Sequence, residues 1–332
     1  MQILDYATIR SLIDFDAIAE QQKSAFIAYS EGHATIPPVT HMPFSNPKGD
    51  YHIKSGHLHS SPYWTVKLAG SFYQNPDMFN CSTSQGVMLV ISAEHGKPLY
   101  LLQDNGYLTD LRTAMVSYLI AKHILHDDIA HIGILGCGVQ AKFQIDVLQH
   151  FYPNIPVSLW ARNAPKAKAF IQDYRAKGNA DIITLADSLE ALCATCDYLV
   201  TVTAAETPII ASEMISGKKH ITALGSDTPR KQELSPELLA RADQLFTDAI
   251  VQSHDCGEIY QARKQGILPV SYEPIELGKA ISDNHTASLP DQRLTIADCT
   301  GLAIQDIAIA ESVITAFEEK KRGHKIMTSI VS

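Results

Sequence analysis

His131-Ile-Gly-Ile-Leu-Gly136-Cys-Gly138-Val-Gln-Ala141, followed at 157–163 by Val-Ser-Leu-Trp-Ala-Arg-Asn, is the stretch whose reading decides the fold. Ile132, Ile134 and Leu135 form a short apolar run of strand length, and glycines follow it directly, so the chain turns sharply at a strand end. From Ala141 to Phe151 the apolar residues Ala141, Ile145, Leu148 and Phe151 recur at helical spacing, with Lys142, Asp146 and Gln149 on another face. A strand, glycines at the first and third positions of the turn, a small residue at the sixth and then a helix make a dinucleotide cradle. Gly136 makes the tight turn, Gly138 lets backbone approach a pyrophosphate, and Ala141 allows close helix–strand packing. The helix start adds unpaired N–H groups and a positive dipole end. The competing reading is a glycine turn in an ordinary βαβ unit that binds nothing. A second strand, Val157 to Trp160, weighs against it, because it ends where such a fold reads the adenosine ribose. An acid there would hydrogen-bond the ribose hydroxyls. Ala161-Arg162-Asn163 stands there instead, and a guanidinium suits a 2′-phosphate, so NADP(H) is expected ahead of NAD(H).

Around this stretch the chain has 332 residues, enough for two domains, with 45% hydrophobic and 19% charged residues, as in ordinary globular proteins. A formal net charge of −9 argues against nucleic acid or an anionic membrane as partner and leaves small molecules. Neither a secretory leader nor an apolar stretch of membrane-span length is evident, and a cytoplasmic location is expected. The six cysteines are scattered, which suits buried thiols in a reducing compartment. Cys193 and Cys196 form a lone Cys-x-x-Cys without a second pair or a nearby histidine, and coincidence explains it better than redox or metal chemistry.

Taken in order, residues 1–35 read as a small helical start, with a clear helical pattern from Ile18 to Tyr29, broken by Pro37-Pro38 and Pro43. From there to about residue 105 the pattern is β, with strand candidates at 50–55, 63–69, 86–92 and 98–103. Leu108 opens a helix towards His123, with Thr109 or Asp110 as its cap. Strands then alternate with helical patterns at 131–135, 157–160, 182–185, 197–203, 220–224, 244–247 and 294–297. That alternation is the sign of a parallel doubly wound sheet. The helix from Leu302 to Glu319 is expected to return to the first domain, since its apolar side needs a surface to cover. The expected architecture is α/β: a Rossmann-type doubly wound parallel sheet at 126–304, beside a strand-rich α+β domain built from 1–125 with 305–332.

Several stretches together resemble the ornithine cyclodeaminase/μ-crystallin family. They are Thr65-Val-Lys67-Leu-Ala, Tyr107-Leu-Thr-Asp-Leu-Arg112-Thr-Ala, Gly133-Ile-Leu-Gly-Cys-Gly-Val-Gln-Ala, Leu224-Gly-Ser-Asp227-Thr-Pro-Arg-Lys231-Gln-Glu-Leu and Asp298-Cys-Thr-Gly-Leu-Ala-Ile-Gln-Asp306, in the family's order from about residue 35 to 310. The resemblance implies a nicotinamide cofactor, chemistry at the C–N bond of a small α-amino or α-imino acid, and an N-terminal domain that binds substrate and forms a homodimer. Family members include ornithine cyclodeaminases, cyclic ketimine reductases, reductases of linear imines and some alanine dehydrogenases, and membership alone does not choose among them.

Lys67 and Arg112 match the family's carboxylate binders. A guanidinium can grip a carboxylate in bidentate fashion while an ammonium adds a point charge. The alternative, a pair of surface cations, fits poorly with Lys67 inside an apolar strand. Asp227 matches the family's catalytic acid/base and follows Gly225-Ser226 at a strand end, where a carboxyl group could protonate an amine or activate water. Its alternative is a cap on the Thr228-Pro229 turn. Lys231, four residues on, could pair with Asp227 or with the substrate. Ser84, Val139, Gln140, Thr203, Leu224 and Thr300 sit where the family places cofactor contacts, together with Arg112, Gly136, Gly138, Gly225, Ser226 and the Ala161-Arg162-Asn163 segment.

Two departures bear on substrate. Many members have an Arg just after the double proline, where this chain has Val39. Ornithine cyclodeaminases carry an acid near the position that falls here on Lys54, and an ammonium there would repel a second amino group. Alternatively Lys54 replaces the missing Arg and binds the α-carboxylate. His52, His57 and His59 surround Lys54 without a Cys or acid at ligand spacing, and no metal site is expected. The expected activity is NAD(P)H-dependent reduction of the C=N bond of an α-imino acid, or its reverse. Ornithine cyclodeamination is the alternative, and a non-catalytic binder of NADP(H) or a small ligand is the third reading.

Overall fold

The computed structural model describes the chain apart from residues 47, 177, 179–182, 285–293 and 331–332 and the side chains of 323–330. Packing divides it into one unit of residues 1–112 with 302–332 and another of 113–301. The division falls at 112/113, inside the helix Tyr107–His123, and not at its end as the sequence suggested. That helix begins after a turn in which Asn105 and Gly106 take positive φ, and the buried Asp104 accepts the Leu108 N–H through Oδ2 at 2.8 Å. Asp104 therefore caps it, not Thr109 or Asp110. Asp110 lies inside the first turn and accepts a hydrogen bond from Ser84 Oγ at 3.3 Å.

The first unit holds a seven-stranded sheet of β1 (Gln2–Leu4), β2 (Ala34–Thr35), β3 (Thr40–Ser45), β4 (Lys48–Leu58), β5 (Tyr63–Phe72), β6 (Ser84–Ser92) and β7 (Pro98–Leu102) among the described residues. β4 to β7 form an antiparallel meander, β1 adds parallel to β7, and both β2 and β3 pair with β4. The four long strands were legible from alternation. β1 and β2 are too short to carry a period, and β3 is exposed along its whole length with Pro43 inside it, as only an edge strand tolerates. The helix Phe15–Ser30 starts at Asp14, whose Oδ1 accepts the Asp16 and Ala17 N–H groups. The closing helix Ala303–Ile330 packs on it and on β4 and β5, and Gln22 Nε2 donates to Gln305 O at 2.7 Å.

In the second unit, β8 (Ile132–Leu135), β9 (Val157–Trp160), β10 (Ile183–Leu185), β11 (Tyr198–Thr201), β12 (Lys219–Ala223), β13 (Gln244–Thr247), β14 (Ile275–Glu276) and β15 (Leu294–Asp298) form an all-parallel sheet. Its order is β10-β9-β8-β11-β12-β15-β13-β14. The chain proceeds one way from β8 to β10 and the other way from β11, so the order reverses between β8 and β11. Ligands of open α/β sheets bind outside the strand ends at such a point. β8, β9 and β11 are mainly apolar and buried on both faces, as parallel sheets require, whereas edge strand β10 exposes Thr184. Two-residue β14 escaped the sequence reading.

One buried polar ladder crosses this sheet. Tyr198 Oη donates to Ser117 O at 2.9 Å and lies 3.1 Å from Thr222 Oγ1, while His220 bonds Thr222 Oγ1 through Nε2 at 3.2 Å and Thr295 Oγ1 through Nδ1 at 2.7 Å. Burial pushes the His220 pKa down to about 3, so the ring is neutral in the folded chain. An unfolded histidine protonates near 6.5, so this contribution to stability is complete above that pH and is lost as pH falls from 6.5 towards 3. Denaturant titrations from pH 7 to pH 4 should show the wild type losing about 3 kcal/mol more than His220→Gln; parallel pH profiles would contradict a neutral buried ring.

Candidate active site

In the first unit, antiparallel pairing sets Lys54 of β4 directly opposite Lys67 of β5, on one face of the sheet. Like charges so placed repel unless an anion joins them. The closing helix supplies one: Lys67 Nζ donates to Asp306 Oδ1 at 3.0 Å, and Arg112 Nε donates to the same oxygen at 3.1 Å. Arg112 Nη1 also donates to Gln305 Oε1 at 3.1 Å, and Gln305 Nε2 donates back to Arg112 O. All five side chains are buried. Burial opposes ionisation of Asp306, but Lys67, Arg112 and Lys54 outweigh it and hold its carboxyl below the usual range. Burial pulls Lys67 down to about 7; Asp306 works against this shift, whereas Arg112 and Lys54 add to it. The site is thus a buried cluster of three cations around Asp306, whose Oδ2 accepts no hydrogen bond among the described residues. A ligand carboxylate would add the counter-charge that brings Lys67 fully to its ammonium form. Sequence reasoning found Lys54, Lys67 and Arg112 and missed Asp306 and Gln305 as site residues. A carboxylate on a helix face is ordinary, and only the fold returns it to β5.

The histidines near Lys54 take separate neighbours. His57 Nε2 lies 3.0 Å from Ser61 O, His59 Nε2 lies 3.0 Å from Thr35 Oγ1, and the His52 ring stacks on that of His41. Among the described residues no group of three or more His, Cys, Asp or Glu is placed to hold a metal ion.

In the second unit the remaining sequence-selected residues gather at the C-terminal edge of the parallel sheet. Gly136 follows β8 with φ +129°, and a Cβ there would lie 2.9 Å from Val202 O, so only glycine fits between the ends of β8 and β11. A Cβ on Gly138 would meet nothing within 4 Å. That open space and the helix Val139–Phe151, whose start carries no side-chain cap, are what a pyrophosphate requires. Val139 and Gln140 form the first turn, and Ala141 is fully buried against the sheet. Ala161, Arg162 and Asn163 follow β9; Asn163 Oδ1 caps the next helix by accepting the Lys166 N–H at 3.0 Å, and Arg162 is exposed. Lys166 was not singled out in the sequence, yet its charge acts on the Cys137 thiol between the two glycines. The residues present fit a dinucleotide.

Thr203 follows β11, and Leu224, Gly225, Ser226 and Asp227 follow β12. Ser226 Oγ donates to Lys231 O at 2.7 Å and Lys231 Nζ donates to Asp227 Oδ1 at 2.6 Å, closing a short turn around an acid that is 41% exposed. Of the two readings of Lys231, this geometry displays the pair with Asp227. Thr300, beyond β15, donates to Gln252 Oε1 at 3.0 Å. Ser84 lies on β6 in the other unit, tied to Asp110.

With this geometry in hand, the sequence matches the ornithine cyclodeaminase/mu-crystallin family over residues 1–321. It is 32% identical over 324 residues to an alanine dehydrogenase of Archaeoglobus fulgidus, covering 98% of this chain and 97% of that protein. An iminosuccinate reductase of Paracoccus denitrificans is 28% identical over 320 residues, covering 96% and 98%. Among solved structures, an archaeal alanine dehydrogenase dimer with bound NAD superposes with a TM-score of 0.86 at 31% identity, over 97% of both chains. The Paracoccus denitrificans iminosuccinate reductase in complex with NAD+ gives 0.84 at 27%, again over 97% of both. The dinucleotide cradle, the buried Lys67 and Arg112 and the full-length match agree, and the chain belongs to the ornithine cyclodeaminase/mu-crystallin family.

Proposed function

We propose that this protein is a nicotinamide-dependent oxidoreductase that interconverts an α-imino acid and the corresponding amino acid. The observation that carries this reading is the buried Lys67–Arg112–Asp306 cluster, in a chain that also holds a dinucleotide cradle. Lys67 and Arg112 bind and orient the α-carboxylate, and Lys54 adds a third positive charge beside them. Gly136, Gly138 and the first turn at Val139 and Gln140 hold the pyrophosphate, and Thr203, Leu224, Gly225, Ser226 and Thr300 line the same edge. The bound nicotinamide supplies the hydride. Asp227 gives a proton to the nitrogen as the C=N bond is reduced and takes one in reverse, and the ion pair with Lys231 holds its carboxyl group in place. Arg162, with Lys166 at the next helix, favours a 2′-phosphate and hence NADP(H) over NAD(H). Lys54 disfavours a second amino group on the substrate, which sets this reading ahead of ornithine cyclodeamination.

The first unit also exposes Met42 and Phe44 on β3 and Tyr73, Met78 and Phe79 between β5 and β6, each more than 40% accessible. Such residues are what a homodimer contact would cover, and a structural relative is a dimer. Light scattering of the purified protein should give about twice the 36.4 kDa chain mass; a single-chain mass would remove the dimer from this reading.

Absorbance at 340 nm tests the reaction. NADPH, and more slowly NADH, should be consumed with Δ1-pyrroline-2-carboxylate, Δ1-piperideine-2-carboxylate or 2-oxo acids plus ammonia, and Asp227→Asn should lower kcat at least a hundredfold. Ammonia release from ornithine without net cofactor change would make the enzyme a cyclodeaminase instead. Tight cofactor binding without turnover of any imino or amino acid would leave a binding protein.

The pKa of Lys67, about 7 in the unliganded chain, adds a pH dependence. The residue is protonated below that value, so kcat/KM for the imino acid should fall up to tenfold per unit above about pH 7. Lys67→Arg stays charged and should shift that decline upward by more than one unit. An unshifted profile would mean that another group sets it.

A further inference from the structure

Two residues past Lys231, Glu233 is fully buried, and both of its carboxylate oxygens are used twice. Oε1 accepts the Thr203 N–H at 2.6 Å and the Thr203 hydroxyl at 2.8 Å, and Oε2 accepts the Gly225 N–H at 2.8 Å and the Thr201 hydroxyl at 2.6 Å. Thr201 and Thr203 lie at the end of β11, and Gly225 opens the turn that carries Asp227 at the end of β12. Gly225 is packed so closely that a Cβ would lie 2.2 Å from Thr203 O and 2.5 Å from Glu233 Oε1. No Lys, Arg or His pairs with Glu233 among the described residues. Two main-chain N–H groups, one on each oxygen, are its fixed donors, and only an acceptor at both ends satisfies them.

Glu233 is itself held. Its own N–H and that of Leu234 donate to Glu258 Oε1 and Oε2 at 2.7 and 3.1 Å, and the helix Glu258–Lys264 is capped in turn by Asp298, whose Oδ2 accepts the Ile259 N–H at 2.8 Å. Beyond it, Asp248 Oδ2 accepts the Gly301 N–H at 2.6 Å. Buried carboxylates therefore lace the loops beyond β11, β12, β15 and β13 to one another. Nothing in a packed sheet requires four acids in place of apolar residues, since an unpaired buried charge is costly. What the arrangement provides is loops fixed by bonds with defined directions.

We propose that Glu233 is the positioning residue of the proton-transfer and cofactor edge: by clamping Thr203 and Gly225 it fixes the end of β11 and the Gly225–Asp227 turn relative to each other. This rests on the reading that Asp227 moves the proton. In Glu233→Gln, whichever way the amide is turned, its NH2 meets one main-chain N–H, so either Thr203 or Gly225 must let go. Cofactor binding, read by fluorescence titration with NADPH or NADH in the absence of substrate, should weaken about tenfold. With imine as substrate kcat should fall at least tenfold, while KM for the imine, set in the other unit by Lys67 and Arg112, should change less than threefold. The loss in kcat should disappear in an Asp227→Asn background, because a misplaced acid and an absent one are equivalent. A merely structural role would lower the thermal midpoint and leave these ratios alone. Should Glu233→Gln not yield folded protein, Thr201→Val, which removes one hydroxyl donor from the same carboxylate, enters the same cycle with a smaller expected loss of about threefold. An unchanged cofactor affinity in a folded variant, or losses that add to those of Asp227→Asn, would overturn the proposal. A wild type that binds cofactor and turns over no imine would instead overturn the assigned reaction, and the titration alone would then decide the role of Glu233.

Discussion

A buried cation cannot remain charged without an anion, and the first unit contains three cations around one place. Lys54 and Lys67 are opposed by β-sheet register, which is fixed by which residues of β4 and β5 must face the core, and Arg112 comes from the helix that follows β7. Asp306 answers them from a helix almost two hundred residues further along the chain than Arg112. Breaking a buried pair by removing one partner typically costs about 3–5 kcal/mol, so the return of the closing helix is enforced electrostatically as well as by its apolar side. Burial is the main cause that pulls Lys67 down to about 7; Asp306 opposes the shift, and Arg112 and Lys54 add to it.

The second unit solves the opposite problem. Its parallel strands end in loops that must be exact at the side where a dinucleotide lies, yet loops have the least backbone bonding of their own. Here side-chain carboxylates supply what a ladder would: Glu233 joins β11 to β12, Glu258 fixes the loop of Glu233, and Asp298 fixes the helix of Glu258. Burial pushes Asp298 up to about 7 and Glu258 well above the usual carboxylate range, the cost of using acids in this way. One unit thus gathers buried cations around a carboxylate, and the other buries acids behind the loops at the C-terminal edge of its parallel sheet.

Much of this was written locally in the chain. Gly136, Gly138 and Ala141 announce the nucleotide cradle because steric demands at a turn leave few alternatives, and β8, β9, β11, β12, β13 and β15 announce themselves as short apolar runs. The cations of the buried cluster were legible because a lysine in an apolar strand is unusual and because motifs around Lys67 and Arg112 resemble a family. What was not legible depends on tertiary placement. Asp306, Gln305, Glu233, Glu258 and Asp298 are ordinary acids and amides whose burial is decided by segments distant in sequence. Asp104 was overlooked as a helix cap because Asn105 and Gly106 separate it from the helical pattern, and β3 was overlooked because an exposed edge strand has no apolar face to alternate.

The position of β15 between β12 and β13 has a consequence for biosynthesis. Both neighbours precede it in the chain, so until residue 298 has been made the sheet has a gap between β12 and β13 and two unpaired strand edges. The segment that supplies Asp306 follows immediately, so Lys67 and Arg112 also wait for it. A nascent chain of some two hundred and ninety residues is therefore incomplete in both units at once, and the second unit gains its last strand before the first gains its closing helix. Folding is gated by the emergence of one short stretch, roughly 294–313, and before it emerges the exposed edges of β12 and β13 are where a chaperone, or another unfinished copy, would bind.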